Sequence, residues 1–201
     1  MSRRGLFIVV ESLDGVGKTT LVRGLAKILG GFAMTTPGHA LRHVAADILA
    51  ALGDDQIARC LFYSATVHAE GARARRMADQ GEIVVMDRYW LSTIAYARAR
   101  GVVADLTAIE ALVPRPDLTV LLTLDEAERQ RRLLSRGNAT AADIETLDPT
   151  FRETVLREMR QVRCAAGMGP IEVDITGADQ AEAIRRVLDR LAPWRRARRS
   201  A

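Results

Sequence analysis

The chain has almost no lysine. Of its 29 basic residues only Lys18 and Lys27 are lysines, and the rest are arginines. Arginine suits planar, two-pronged contacts to phosphate, although a genome biased toward arginine and alanine leaves the same excess. Cysteine is equally scarce. Cys60 and Cys164 are too few and too far apart for a disulfide scaffold or a cysteine-rich metal site, which points to a reducing compartment. The three histidines, His39, His43 and His68, lack metal-ligand spacing. No apolar run approaches the ~18 residues of a membrane span, and no cleavable apolar region follows Met1-Ser2-Arg3-Arg4. A cytoplasmic protein that does not enter membranes is expected. The basic run Arg195-Arg196-Ala197-Arg198-Arg199 is one short cluster with no aromatic beyond Trp194 nearby. Nucleic acid is therefore not an expected partner. No internal repeat is visible.

What is present starts with the stretch Leu6-Phe7-Ile8-Val9-Val10-Glu11, an apolar run ending in an acid. It continues as Ser12-Leu13-Asp14-Gly15-Val16-Gly17-Lys18-Thr19-Thr20. The pattern is a buried strand, a small-residue turn and a helix opening on Gly-Lys-Thr, which is the phosphate-loop arrangement. Counting back from Lys18, the first glycine of that pattern is replaced by Ser12. Such a loop turns its backbone N–H groups onto phosphate at the positive end of a helix. Ser12, Asp14, Gly15, Val16, Gly17, Lys18, Thr19 and Thr20 are the expected triphosphate-binding residues. Lys18 reaches the outer phosphates and the Thr19 hydroxyl ligates Mg²⁺. The added Cβ and hydroxyl of Ser12 either strain the loop or give it one more donor.

The 201 residues, 48% of them apolar, suit one domain over 1–201. After a helix to about Leu29, a short strand is expected at 32–36 and one helix at 39–52 with Leu41, Val44, Ile48 and Leu52 on a stripe. A long helix follows over about 56–80, with Ile57, Leu61, Ala65 and His68 along one face. Ile83 to Met86 is a second strand ending in Asp87, and Leu118 to Leu124 a third. Helices are expected over 89–100, 105–112, 125–134 (capped by Asp125), 148–166 and 178–191, with a last strand at 171–175. Residues 135–147 are polar and small and read as a mobile lid. The tail over about 194–201 reads as frayed. Strands alternating with helices predict a three-layer α/β/α fold around a five-stranded parallel sheet, a P-loop NTPase architecture with a small lid. Ligands then sit beyond the carboxyl ends of the strands, where Glu11, Asp87 and Asp125 emerge.

Asp87 is placed to hold Mg²⁺ with Thr19, and Arg88 beside it to clamp a phosphate. Arg129, Arg131, Arg132 and Arg136 approach the lid, and Arg132 and Arg136 are the candidates to fold over a transferring phosphoryl group. Phe62, Tyr63 and Tyr96 either stack on a base or fill the core.

These stretches resemble a family. Glu11 to Thr20 is similar to the thymidylate kinase phosphate loop, and Asp87-Arg88-Tyr89 through Ser92 to Ala95-Tyr96 resembles that family's second signature. Arg115-Pro116-Asp117-Leu118-Thr119 and Arg136-Gly137 match in the same order. The resemblance implies an ATP- and Mg²⁺-dependent nucleoside monophosphate kinase, usually a homodimer. It places Asp14, Pro37, Phe62, Thr66, Arg88 and Tyr96 around the acceptor, with Phe62 and Tyr96 flanking the base. Lys18, Asp87, Arg88 and Arg136 carry the transfer. Glu11 and Asp14 stand at the loop mouth, near a sugar hydroxyl or Mg²⁺-bound water. The departures fall on the acceptor side. Thr35-Thr36-Pro37-Gly38-His39 lacks a phosphate-side arginine, Thr66 stands where an arginine reads the thymine edge, Ala97 replaces a glutamine, and Asp143 replaces a lid arginine. An altered base preference is expected. An ordinary thymidylate kinase remains open, as does a nucleoside kinase in which Glu11 is the base for a 5′-hydroxyl.

Overall fold

The run Leu6 to Val10 is apolar without alternation because both of its faces are covered, as in a central parallel strand. In the structure, a computed structural model, β1 spans Leu6–Glu11. Ile8 and Val10 enter one core while Phe7 and Val9 enter the other. The structure describes residues 5–135, 137, 141–162 and 169–197, and of 141, 142 and 195–197 the backbone alone.

The elements follow in the order α1 (Lys18–Leu29), β2 (Phe32–Thr35), α2 (His39–Arg42), α3 (Ala45–Ala51), α4 (Gln56–Asp79), β3 (Ile83–Asp87) and α5 (Trp90–Ala99). The second half holds α6 (Thr107–Leu112), β4 (Leu118–Thr123), α7 (Glu126–Leu134), α8 (Ala141–Glu145), α9 (Pro149–Gln161), β5 (Ile171–Asp174) and α10 (Gln180–Ala197). The five strands form one parallel sheet in the order β2-β3-β1-β4-β5. Helices α1, α9 and α10 pack with α5 residues in the core on one face, and α4 covers the other. This is the expected three-layer fold. Thr35 and Val10 both pair with Asp87 across the sheet, so β1, β2 and β3 finish level at one edge.

Four expectations need correcting. The helix expected at 39–52 is two short helices broken at His43–Val44. Its supposed stripe is not buried, with Leu41 and Val44 both exposed, so no core packing holds a continuous helix. On α4 the apolar face is inverted: Ile57 and Leu61 are about half exposed, and the buried residues are Cys60, Ser64, Thr66, Val67, Gly71, Ala74 and Ala78. Small side chains let α4 approach the sheet closely. The lid span contains α8, with Asp143 and Thr146 buried beneath it. The basic tail continues α10 as far as Ala197, since arginine and alanine are good helix formers. Arg136, residues 163–168, Arg198 and Arg199 lie outside the described residues.

Candidate active site

The loop between β1 and α1 needs two backbone conformations that L side chains rarely adopt. Gly15 and Gly17 supply them, at φ 88° and 93°. Ser12 does not have a positive φ, so its Cβ is accommodated without backbone strain. Its side chain is buried behind the loop, where it accepts a hydrogen bond from Lys18 Nζ at 2.9 Å and donates to the Leu13 carbonyl at 2.8 Å. Ser12 therefore fixes Lys18 instead of facing the cleft. Burial and the nearby Arg88 pull the Lys18 ammonium below its usual pKa, partly offset by Asp14, Asp87 and Glu11.

Thr19 Oγ1 donates to Asp87 Oδ2 at 2.6 Å, which joins the loop to the end of β3. The other oxygen, Asp87 Oδ1, is buried and has no hydrogen-bond partner. A carboxylate oxygen left this way beside a threonine hydroxyl and a phosphate loop fits a divalent cation. No cluster of three or more His, Cys, Asp or Glu side chains with metal-binding geometry occurs among the described residues. Phosphate oxygens and water would complete the shell, as magnesium prefers.

Arg88 follows Asp87 in the left-handed region at φ 66°, the one non-glycine residue with positive φ among those described. Its amide still bonds to Val10 O at 3.1 Å, so the strained turn is fixed to β1. Its guanidinium pairs with Asp14. Burial alone would disfavour the charge on Arg88, but Asp14 outweighs it and raises the pKa. Burial likewise pushes the Asp14 carboxyl up, yet Arg88 and Lys18 win and hold it at about 2. The Arg88 and Arg100 guanidinium groups each lie over the Tyr96 ring, 5.8 and 5.4 Å from its centre, and the Tyr96 hydroxyl donates to Asp14 Oδ2 at 3.4 Å. Arg100 itself pairs with Glu145 on α8 at 2.5 Å.

These groups line one cleft of about 670 Å³ at the carboxyl edge of the sheet. Asp14, Gly15, Val16, Gly17, Lys18, Thr19, Thr20, Pro37, Asp87, Arg88 and Tyr96 all reach its wall, as the sequence led us to expect. The Thr36–Pro37 peptide there is cis. Arg132 stands behind the loop, donating to Val16 O at 3.3 Å and pairing with Glu128.

Besides Ser12 and Arg132, three more expected residues are not on this wall. Glu11 is fully buried, with its carboxylate accepting from the Tyr89 and Ser92 amides and the Ser92 hydroxyl. It fastens the turn into α5 and does not stand at the loop mouth. Burial pushes its pKa up, against the Ser92 hydrogen bonds and the Arg88 and Lys18 charges. Phe62 and Thr66 also miss the cleft; the Thr66 hydroxyl turns back to the Tyr63 carbonyl at 2.8 Å. The face of α4 that does line it is Gln56, Arg59, Cys60 and Tyr63. That spacing of three, four and seven is a helical face, and it could have been found by testing polar as well as apolar stripes. Arg42 and Arg100 were missed as well, while Tyr63 and Asp143, both noted in the sequence, do reach the wall.

A further arginine is structural. Arg129 is 1% exposed and makes five hydrogen bonds: two to Glu126, one to Asp14 O, and two to Thr146. It ties the phosphate loop to the base of α8.

Residues 10–169 match the family model for thymidylate kinase. A thymidylate kinase from Xanthomonas campestris is 37% identical over 146 residues, covering 67% of this chain and 63% of that protein. The chain thus matches somewhat less than two thirds of the length of that relative. A probable thymidylate kinase from Pyrococcus horikoshii is 32% identical over 194 residues, 86% of this chain and 94% of its own. Among solved structures, the Candida albicans thymidylate kinase superposes with a TM-score of 0.74 at 20% identity, covering 97% of this chain and 94% of its own, which is a likeness of fold. No helix among the described residues is long and apolar enough to cross a membrane. The phosphate loop, the Thr19–Asp87 pair and the strained Arg88 all fall within the matched stretch, and the chain belongs to the thymidylate kinase family.

Proposed function

We propose that this protein transfers the γ-phosphoryl group of MgATP to a nucleoside monophosphate. The observation that carries this is the joining of the phosphate loop to β3. Thr19 is bonded to Asp87, whose free buried oxygen suits magnesium, and Arg88 is held at the next position beside the same cleft. A monophosphate acceptor is already anionic at neutral pH, so the reaction needs alignment and charge neutralisation more than a base. Lys18 holds the outer phosphates and Arg88 the bridging region between donor and acceptor. Magnesium, when bound by Thr19 and Asp87, neutralises charge on the phosphates. Arg132 and Arg136 are the proposed lid-side cations, and Tyr96 the base-side ring. A nucleoside acceptor is less well supported, because both Glu11 oxygens are engaged beneath the cleft and neither can serve as its base.

The relatives are named thymidylate kinases, so thymidylate is the first acceptor to test. A changed base preference is the second reading. Thr66 lies off the wall, Ala97 offers no amide, and Asp143 puts a carboxylate on the lid side. A panel of monophosphates and nucleosides, followed by ADP release, tests both. A clear thymidylate preference would refute the changed-base reading, and turnover of nucleosides alone would refute the monophosphate reading. Lys18→Ala is expected to abolish turnover with every acceptor, and normal activity in that variant would rule out the assignment. The homodimer implied by the resemblance belongs to the same proposal and is checked by sedimentation.

A further inference from the structure

The cleft has two sides. The loop glycines, with Arg132 behind them, form the side that takes the triphosphate. The other side is made by the end of β2, by α2, and by the faces of α4 and α5. In-line transfer puts the acceptor phosphate on this second side, across from the donor. Two phosphate groups then meet near Asp87 and need cations between them. Arg88 is there, but it is already paired with Asp14. Arg100 is paired with Glu145. The end of β2 provides only Thr35 and Thr36.

Arg59 on α4 lines this side too, with its Nη2 donating to the Leu49 carbonyl at 3.2 Å.

Arg42 differs from all three in reaching the end of β2. It lines the second side of the cleft, its side chain is exposed, and no carboxylate partner appears for it among the described residues. The partner of its side chain is neutral: Nη2 donates to Thr35 Oγ1 at 2.9 Å. Thr35 lies opposite Asp87 in the sheet register, and the next residue is fixed to the same turn. Thr36 N donates to Asp87 O at 3.1 Å, and Thr36 Oγ1 donates to Arg88 O at 2.9 Å. A guanidinium held here by a hydroxyl alone can exchange it for a phosphate oxygen and gain a charge-assisted bond.

We propose that Arg42, carried by α2, binds the acceptor phosphate and supplies the cation that the end of β2 does not. This rests on the monophosphate kinase reading. It makes Arg42 a substrate-binding residue that distinguishes a nucleotide from a nucleoside, working across the cleft from Lys18.

The test uses the full chain with TMP, dUMP, dCMP, dAMP and dGMP as acceptors. For the best of these, Arg42→Gln should raise the acceptor KM by about 10- to 100-fold, the range of a lost hydrogen bond to a charged group. The KM for ATP should stay within about threefold of the wild type. Arg42→Lys should fall between the two. In the double variant Thr35→Arg/Arg42→Gln, a guanidinium returned to the same spot should recover most of the loss, which a structural role for Arg42 would not allow. Calorimetry with that monophosphate and its own nucleoside gives a readout apart from turnover. The wild type should prefer the monophosphate, and Arg42→Gln should cut that preference by about 10- to 100-fold while leaving the nucleoside affinity unchanged. If the wild type turns over a monophosphate and Arg42→Gln leaves its KM unchanged, the role of Arg42 is refuted. If the wild type turns over no monophosphate, the kinase reading itself is refuted.

Discussion

Replacing Arg129 by methionine should destabilise the protein far more than any other arginine substitution. Arg129 is a charged side chain with only 1% exposure, and methionine keeps most of its volume, so a cavity contributes little. Of its five bonds, those to Glu126 are the least costly to lose. Glu126 is 32% exposed and keeps Arg152 at 3.2 Å and Gln130 at 2.8 Å. The Thr146 hydroxyl keeps its bond to Asp143 O. The carbonyls of Asp14 and Thr146, at 2.9 and 2.8 Å from the guanidinium, lose the partner it supplies. At roughly 1–2 kcal/mol for each stranded carbonyl and about 1 kcal/mol for the ion pair, the loss is about 3–5 kcal/mol. For a domain of this size that corresponds to a fall in Tm of roughly 6–20 °C. Urea unfolding followed by circular dichroism measures the first figure and a thermal scan the second. A loss below about 1 kcal/mol would refute the view that Arg129 pins the loop to α8.

Two other predictions follow from the same cluster. The folded-state pKa of Asp14 lies below its unfolded value, about 2 against 3.8. Its contribution is therefore present above pH 3.8 and disappears as pH falls through 2, an amount of about 2 kcal/mol. The stability gap between wild type and Asp14→Asn should shrink across that window in urea titrations, and a gap independent of pH would contradict the assignment. At Arg88 the positive φ favours glycine over alanine. Both substitutions should abolish activity, yet Arg88→Gly should be about 1 kcal/mol more stable than Arg88→Ala. Alanine matching or exceeding glycine would show that the turn relaxes.

Much of the phosphate-loop side of the cleft was legible in the sequence. The strand, the loop glycines, Lys18 and Thr19 are neighbours in the chain, and their geometry is fixed by a strand-to-helix turn of a few residues. Asp87 and Arg88 were legible for the same reason, as the residues that end a buried parallel strand. Ser12 was recognised as a departure, but the direction of its hydroxyl depends on where Lys18 folds. The five parallel strands followed from alternating elements, whereas their order in the sheet came from the structure.

The side of the cleft facing the loop was decided by packing. The sequence of α4 has apolar residues at Ile57 and Leu61, and hydrophobicity alone assigns them to the interior. Instead the helix packs its small residues inward, because close approach to Tyr89 leaves no space: a Cβ on Gly71 would lie 1.8 Å from the Tyr89 hydroxyl. That choice rotates Gln56, Arg59 and Tyr63 into the cleft and takes Phe62 and Thr66 off its wall. Glu11 likewise has the right place in the chain and the wrong depth, since the amides of Tyr89 and Ser92 reach it before any ligand could. The sequence by itself determined that a strand, a glycine turn and a Gly-Lys-Thr helix start form a phosphate loop here, because that arrangement is local. Which side chains line the far side of the cleft depends on the rotation of one helix and the placement of another. Contacts between residues far apart in the chain set both, and only the tertiary structure contains them.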